Sequence, residues 1–286
     1  MGVSNQEAEN ALKKTSSVFA QITLACKCLE TRHLDLCDWW VLAPKTLVIC
    51  RKSLKITYMP LLEIWKATKD SVLKMNLETI VKMAGDGQLK DGSETSLEFR
   101  QFLTEVDSKK LAEYATYCTD HAFTNSGQVL QDVVNEVGRR LGFTAENGRY
   151  QGVRNDIGYD GIWTSGSDCL VIEVKTTNAY TIKLDVIATY RDRLAEAGRV
   201  PHDSPILIVI GRDETESLEA QVRGSKHAWT MRIIGIEALI KLMEVNLSTS
   251  GKEVTEKIHT ILKPIEYTRI DKIVDVIFTA AEDKDL

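Results

Sequence analysis

Two runs of consecutive aliphatic residues constrain the fold of this chain more than any other feature. Leu170-Val171-Ile172 and Ile206-Leu207-Ile208-Val209-Ile210 contain no polar residue. Strands of this kind are typically buried on both faces, in a parallel or mixed sheet that helices cover. Segments in which apolar residues recur at helical spacing lie between the two runs and after the second. The sequence therefore predicts an α/β domain.

The pattern between residues 119 and 247 predicts the element order αβββαβαβα. Ser126 is a favourable N-cap for the first helix, and Gly142 is a favourable residue to end it. Three strands are expected next, with a Gly- and Ser-containing turn at residues 165–168 between the second and the third. Further elements are expected at residues 181–197, 205–211, 215–224, 230–235 and 236–247, of which the second and fourth are strands.

The flanking segments are predicted to be helical. Residues 1–118 are expected to form a mainly helical domain for recognition or oligomerisation, with a possible strand pair at 47–58, a linker at 84–93 and a single helix at 96–117. Residues 248–286 show a second apolar series of helical spacing. Such a segment can dock on the N-terminal region or bridge a dimer, and the sequence leaves both open.

Composition limits the binding partners and the cellular compartment that we expect for this protein. The formal net charge is −5 and no basic tail is present, so a nucleic-acid partner requires a local basic surface or a metal ion. The six cysteines form no CxxC pair, and no signal peptide or membrane-spanning stretch is visible. We therefore expect reduced thiols, a cytoplasmic location and no membrane partner.

Three ionisable residues, Asp160, Glu173 and Lys175, are the candidates for a catalytic site. If the hairpin turn is centred between Gly166 and Ser167, Asp160 lies opposite Glu173 on the antiparallel partner strand. Residues 173 and 175 point the same way because strand side chains alternate, so all three ionisable groups share one face. Opposed carboxylates then approach to about 5 Å at their Cβ atoms and repel each other unless something neutralises them.

A divalent cation with oxygen ligands is one way to neutralise this pair. Carboxylate, carbonyl and water ligands suit Mg²⁺ or Mn²⁺ better than Zn²⁺, and the carbonyl of Val174 is available as a further ligand. A charged Lys175 can then orient a water and stabilise negative charge on a phosphoryl group, which is the chemistry of phosphodiester hydrolysis. The alternative is an ordinary surface hairpin in which Lys175 pairs with the two acids.

A helix followed by a hairpin carrying D-x(12)-E-x-K, then helix, strand, helix and strand, resembles the PD-(D/E)xK phosphodiesterase superfamily over about residues 120–245. The two motif strands are Gly158-Tyr159-Asp160-Gly161-Ile162 and Val171-Ile172-Glu173-Val174-Lys175-Thr176. The resemblance implies a restriction-endonuclease-like αβββαβ core with a mixed central sheet, in which Asp160 and Glu173 bind the metal and Lys175 assists catalysis. On this basis residues 119–247 are the expected nuclease domain.

The chain departs from the family pattern at two points. Tyr159 occupies the position of the family's proline, which leaves the Asp160 side chain in place. Many members of the superfamily carry an acidic residue on the first helix. In this chain Gln131 is the candidate for that position, where it would act as a neutral outer ligand or hold a water molecule. Asp132 and Glu136 are expected to turn away from the apolar face of that helix. Asp156 is an alternative ligand only if the hairpin register slips.

Basic residues just before the motif provide the expected contacts with DNA phosphates. The candidates for nucleic-acid binding are Arg139, Arg140, Arg149 and Arg154, together with Tyr190 and Arg191 on the following helix.

The function that the sequence predicts is a Mg²⁺-dependent DNA endonuclease, with Mn²⁺ as a substitute and a role in restriction or anti-phage defence that comes from the resemblance alone. A homodimer is expected because double-strand cleavage needs two active sites, and a further defence subunit is a possible partner. Two alternatives stay open: a repair or recombination nuclease of the junction-resolvase type, and a catalytically silent nuclease fold that serves binding or assembly.

Overall fold

The computed structural model describes residues 60–150, 157–176, 182–211, 215–249 and 251–263. The chain divides after Ile56, and all described residues belong to the second unit, Thr57–Leu286. The predicted helices and strand pair before residue 60 and the predicted helical series after residue 263 lie outside the described residues, as do four of the six cysteines. Cys118 and Cys169 are buried free cysteines.

Between residues 60 and 125 the structure describes five helices: α1 (Pro60–Ala67), α2 (Lys69–Leu73), α3 (Leu77–Met83), α4 (Glu94–Glu105) and α5 (Ser108–Asp120). The prediction of one helix over residues 96–117 is wrong. Val106 is extended, and the Asp107 carboxylate accepts a hydrogen bond from the Lys110 amide at 2.7 Å. Asp107 therefore caps a new helix, because its side chain satisfies an amide that would otherwise have no acceptor.

Helix α6 (Ser126–Arg140) leads into a five-stranded sheet. The strands are β1 (Thr144–Asn147), β2 (Gly161–Ser165), β3 (Asp168–Lys175), β4 (Ile206–Ile210) and β5 (Met231–Gly235), and they lie in this order. Strands β1, β2 and β3 are antiparallel, whereas β3, β4 and β5 are parallel. The predicted mixed α/β sheet is confirmed.

The β2–β3 hairpin has the predicted register. Gly161 pairs with Ile172 and Ser165 pairs with Asp168, so that a two-residue turn joins the strands. Gly166 in this turn has a φ of 60°, which an L side chain adopts only at a cost. The register is not slipped, and the paired residues end at Gly161 and Ile172, so Asp160 lies directly beyond the last pair, next to the end of β3 that carries Glu173.

Helices cover both faces of the sheet. Helices α7 (Leu184–Glu196) and α8 (Glu216–Arg223) pack on one face, against Val171, Ile206 and Ile208. On the other face, α6, α9 (Ile236–Thr249) and α10 (Lys252–Ile261) pack with the earlier helices against Ile172 and Leu207. The division at 118 and 248 into separate segments stays a prediction, and within the described residues these helices share one apolar cluster.

Helix α6 is buried on two sides. Gly138 lies directly against the indole of Trp163 in β2, while α4 and α5 cover the opposite side. Asp132 and Glu136 do turn away from the sheet, but they reach the helical layer rather than solvent and are only 1% and 4% exposed. Each is neutralised by arginine, Asp132 by Arg100 and Glu136 by two residues of its own helix.

Candidate active site

The main chain of Asp160 is held on every side. Its amide donates to the carbonyl of Ile172 at 3.1 Å, although Ile172 is the ladder partner of Gly161, so Asp160 is held against β3 outside the regular pairing. Its carbonyl accepts hydrogen bonds from the Gly148 amide at 2.9 Å, from Gln131 Nε2 at 3.0 Å and from Asn135 Nδ2 at 2.9 Å. The Asp160 peptide is thereby connected to β3, to the segment after β1 and to α6.

The Asp160 carboxylate faces β3. Its Oδ2 accepts a hydrogen bond from the Val174 amide at 2.6 Å. In a strand, the amide and carbonyl of one residue point to the same edge, so the Val174 carbonyl also lies on the Asp160 side of β3. This is where the sequence predicted a backbone oxygen ligand.

Glu173 and Lys175 share a face of β3, and Lys175 Nζ is in contact with Glu173 Oε1. The Glu173 side chain is 11% exposed and that of Lys175 is 34% exposed. Alternation along β3 brings both groups to the end of the strand where Asp160 lies across the hairpin. The structure thus brings together the three residues on which the sequence interpretation depends.

Burial and charge perturb this group strongly. Burial, and next the charge of Glu173, raise the pKa of Asp160 to about 7. For Lys175, burial alone lowers the pKa, but the charge of Glu173 and the hydrogen bond to it outweigh that effect, so the pKa is raised above its ordinary value. Lys175 is therefore a permanent cation at neutral pH, suited to stabilising charge rather than to accepting a proton.

The donors present suit a hard divalent cation. The Asp160 and Glu173 carboxylates and the Val174 carbonyl are all oxygen ligands, and Mg²⁺ is commonly held by one or two carboxylates, with water and substrate phosphate completing its shell. In the part of the chain that the structure describes, no cluster of three or more His, Cys, Asp or Glu side chains is placed to hold a metal. An ion here would depend on this carboxylate pair, whose mutual repulsion a cation relieves.

A polar cavity of about 450 Å³ opens beside these groups. It is lined by Asp160, Val174 and Lys175 from the hairpin, by Gln131 and the first turn of α6, and by Tyr150. The cavity gives a ligand direct access to the Asp160 and Lys175 side chains.

Gln131 has contacts that differ from the expected ligand or water-holding role. Its amide nitrogen donates to the main-chain carbonyls of Asp160 at 3.0 Å and Arg149 at 3.3 Å. Asn135, one turn further along α6, makes a similar contact that the sequence analysis missed. The only sequence signal was its i, i+4 spacing from Gln131, which places both amides on one helix face.

The residues predicted to contact DNA differ in how far they are exposed to solvent. The Arg140 guanidinium is 13% exposed and donates to the Leu103 and Val106 carbonyls and to Ser108, so it joins α6 to the α4–α5 connection. The Arg191 guanidinium is 10% exposed and donates to the Ser204 carbonyl and Asp192. Neither is placed to reach a phosphate, because the main-chain acceptors inside the fold already engage both.

The other candidates lie closer to solvent or outside the described residues. Arg139 is one-third exposed and donates to Asn147 Oδ1 at 2.6 Å. Arg149 is exposed, and its amide donates to Tyr159 on the segment that carries Asp160. The half-buried Tyr190 ring packs against Gly158 and contributes to the charge environment of Lys175. Arg154 lies outside the described residues.

A second buried polar group, which the sequence did not reveal, lies next to the site. Asp132 Oδ1 accepts from Arg100 Nε at 2.8 Å, and Asp132 Oδ2 is hydrogen-bonded to the Tyr150 hydroxyl. The Arg100 guanidinium also lies over the Tyr150 ring at 4.8 Å. This group holds Tyr150, a wall of the cavity, against α4 and α6.

Comparisons with known proteins give little beyond this geometry. No family model matches the chain, and no curated protein matches it. Among solved structures, the chain is similar to that of the restriction endonuclease FokI, with a TM-score of 0.35 and 15% sequence identity, over 70% of this chain and 43% of the FokI chain. At these values the similarity assigns neither a family nor an activity. Within the described residues, the helices lack the length and hydropathy needed to cross a membrane.

Proposed function

We propose that this chain is a Mg²⁺-dependent endonuclease that hydrolyses phosphodiester bonds in DNA. One observation carries the proposal: the Asp160 carboxylate, which accepts from the Val174 amide of β3, lies close enough to Glu173 and Lys175 for their charges to act on it, and Lys175 is in contact with Glu173. An ordinary surface hairpin does not account for this arrangement, because Asp160 is only partly exposed and its desolvation, with the charge of Glu173, raises its pKa to about 7. A buried carboxyl beside a second carboxylate gains stability from a cation, whereas an exposed one is screened by water.

Each residue has a distinct part in the proposed reaction. The Asp160 and Glu173 carboxylates and the Val174 carbonyl would hold the ion, which supplies Lewis-acid activation of water and phosphate when bound. Lys175 would hold its ammonium towards the scissile phosphate and stabilise the negative charge that develops on its oxygens. Lys175 is in contact with Glu173, so this contact would have to loosen for the ammonium to reach a phosphate, which would leave the Glu173 carboxylate available to hold the ion.

The substrate is proposed from charge and access. The net charge of −5 disfavours a polyanion, so binding must depend on the ion, on Lys175 and on nearby basic side chains. We propose Arg149 and Tyr190 as the DNA contacts near the site, and Arg139 as a contact at its edge. Mn²⁺ is expected to replace Mg²⁺, and a role in restriction or anti-phage defence, with a homodimer as the active form, follows from the family resemblance alone.

The test is cleavage of supercoiled plasmid and of modified and unmodified linear DNA in Mg²⁺ or Mn²⁺. Wild type is compared with Lys175→Ala and with Lys82→Ala, a matched control whose lysine lies on α3 in an exposed pair with Glu78. We expect metal-dependent cleavage by wild type and Lys82→Ala, and a loss of at least about 100-fold in Lys175→Ala, in the range for removing one group that stabilises transition-state charge.

Two results would contradict the proposal. Equal cleavage by Lys175→Ala and wild type would mean that the activity comes from a contaminant or from another site. No cleavage of any of these DNAs by wild type, although the protein is folded, would favour the binding or assembly module instead.

A further inference from the structure

We propose that Asn135 is a positioning residue that orients Asp160 for cation binding. The inference rests on the proposed function, since it concerns how the proposed ligand is held. It assigns to α6 a supporting amide at a position for which no role was predicted from the sequence.

The contacts of Asn135 are complete and specific. The residue is fully buried, and its Nδ2 donates to the Asp160 carbonyl at 2.9 Å and to the Gln131 carbonyl at 3.0 Å. Its Oδ1 accepts from the indole Nε1 of Trp163 at 2.9 Å. The Trp163 donor determines which end of the amide faces Asp160, because the reversed amide would place oxygen against oxygen and nitrogen against nitrogen.

The neighbouring backbone is shaped to admit this amide. A Cβ at Gly161 would overlap Asn135 Oδ1 and lie 3.0 Å from Asn135 Cγ. Only a glycine directly after Asp160 allows the strand to approach α6 this closely. Asn135 and Gly161 therefore work as a pair that sets the distance between the helix and the strand carrying Asp160.

The contacts that hold the Asp160 carbonyl also determine where the Asp160 carboxylate lies. With the Asp160 amide held by Ile172 and its carbonyl held by Gly148, Gln131 and Asn135, the backbone on both sides of Cα is fixed. This fixes the direction in which the side chain leaves Cα, and the carboxylate is placed where its Oδ2 accepts from the Val174 amide. Outer-shell partners that hydrogen-bond a ligating side chain typically contribute about 10- to 100-fold to metal affinity, and we take the lower end of that range for a partner that acts through the main chain of the ligand.

The experiment is isothermal titration of Mn²⁺ into the full chain without DNA, with cleavage kinetics measured in parallel. Asn135→Leu keeps the size of the side chain and removes its hydrogen bonds. Gln131→Met removes the other side-chain donor to the Asp160 carbonyl. If Asn135→Leu does not fold, this variant tests whether the side-chain amides that hold the carbonyl affect Mn²⁺ binding. Val134→Ala, at the neighbouring fully buried position of α6, is the control for a general loss of stability.

We expect the Mn²⁺ dissociation constant to rise about 10-fold or more in Asn135→Leu and Gln131→Met, and to stay unchanged in Val134→Ala. In cleavage, kcat should fall at fixed Mn²⁺ while KM for DNA stays unchanged. Unchanged Mn²⁺ affinity in both folded variants, or an equal loss in Val134→Ala, would overturn the inference alone. Absence of Mn²⁺ binding by wild type would overturn the proposed function and the inference with it.

Discussion

The contact between Gly138 and Trp163 leads to a sharp prediction about stability. A Cβ at position 138 would lie 2.7 Å from Cζ2 and 2.8 Å from Cδ2 of the indole, and closer still to Cε2. Favourable carbon–carbon contacts are about 3.5–4.0 Å, so Gly138→Ala requires helix and strand to separate by roughly 1 Å. The indole is unable to yield, because it is fully buried against Phe143 and is hydrogen-bonded to Asn135.

The expected loss of stability follows from three contributions. Alanine in place of glycine within a helix stabilises by about 1 kcal/mol. Overpacking a core costs about 1–3 kcal/mol. Separation also breaks the buried Asn135–Trp163 hydrogen bond, at a further cost of about 1–3 kcal/mol. The free energy of unfolding of Gly138→Ala should therefore fall by about 3 kcal/mol.

The assay is urea unfolding followed by far-ultraviolet circular dichroism, with Gly127→Ala as the matched control. Gly127 is in the same helix, but the nearest atom to its added Cβ is Thr176 Cγ2 at 3.9 Å, an ordinary contact. Gly127→Ala should be as stable as wild type or slightly more stable. If Gly138→Ala matched the control, the close approach of α6 to β2 would be refuted.

Three further predictions concern single features of the fold. Asp107→Ala removes the cap on the Lys110 amide and should lower the free energy of unfolding by about 1 kcal/mol in the same assay. Gly166→Ala should cost about 1 kcal/mol because φ is positive in open space, whereas Gly166→Asn should cost less. Burial raises the pKa of Asp132 to about 6 from 3.8. As the pH falls, Asp132 therefore becomes protonated in the folded state at a higher pH than in the unfolded state. Asp132 should accordingly contribute up to about 3 kcal/mol of stability as pH falls through that interval, and Asp132→Asn should make the rise in stability between pH 7 and pH 4 smaller by this amount in unfolding curves.

The hairpin shows how far local patterns lead. Alternation of side chains and the position of Gly166 were sufficient to predict which residues of β2 and β3 pair. Register in a short hairpin depends on the turn and on strand alternation, both of which are written in consecutive residues. The shared face of Glu173 and Lys175 follows from the same periodicity.

The helix break at Val106 and the burial of Asp132 and Glu136 were not predictable in this way. An amphipathic pattern on α6 indicates one buried face, and it does not show that a second layer of helices covers the other. Arg140 illustrates the same limit, since a basic residue before a nuclease motif suggests phosphate contact. Its actual acceptors, the carbonyls of Leu103 and Val106, lie more than 30 residues away in the chain.

The sequence by itself determined the class of the sheet, the register of the hairpin and the grouping of two carboxylates with a lysine, because each depends on short-range periodicity and on turn residues. Only the tertiary structure decided that α6 packs against Trp163 closely enough for Asn135 to reach the Asp160 carbonyl, and which arginines serve the fold. Those contacts join residues distant in the chain. They depend on the space left between packed layers, which no local pattern encodes.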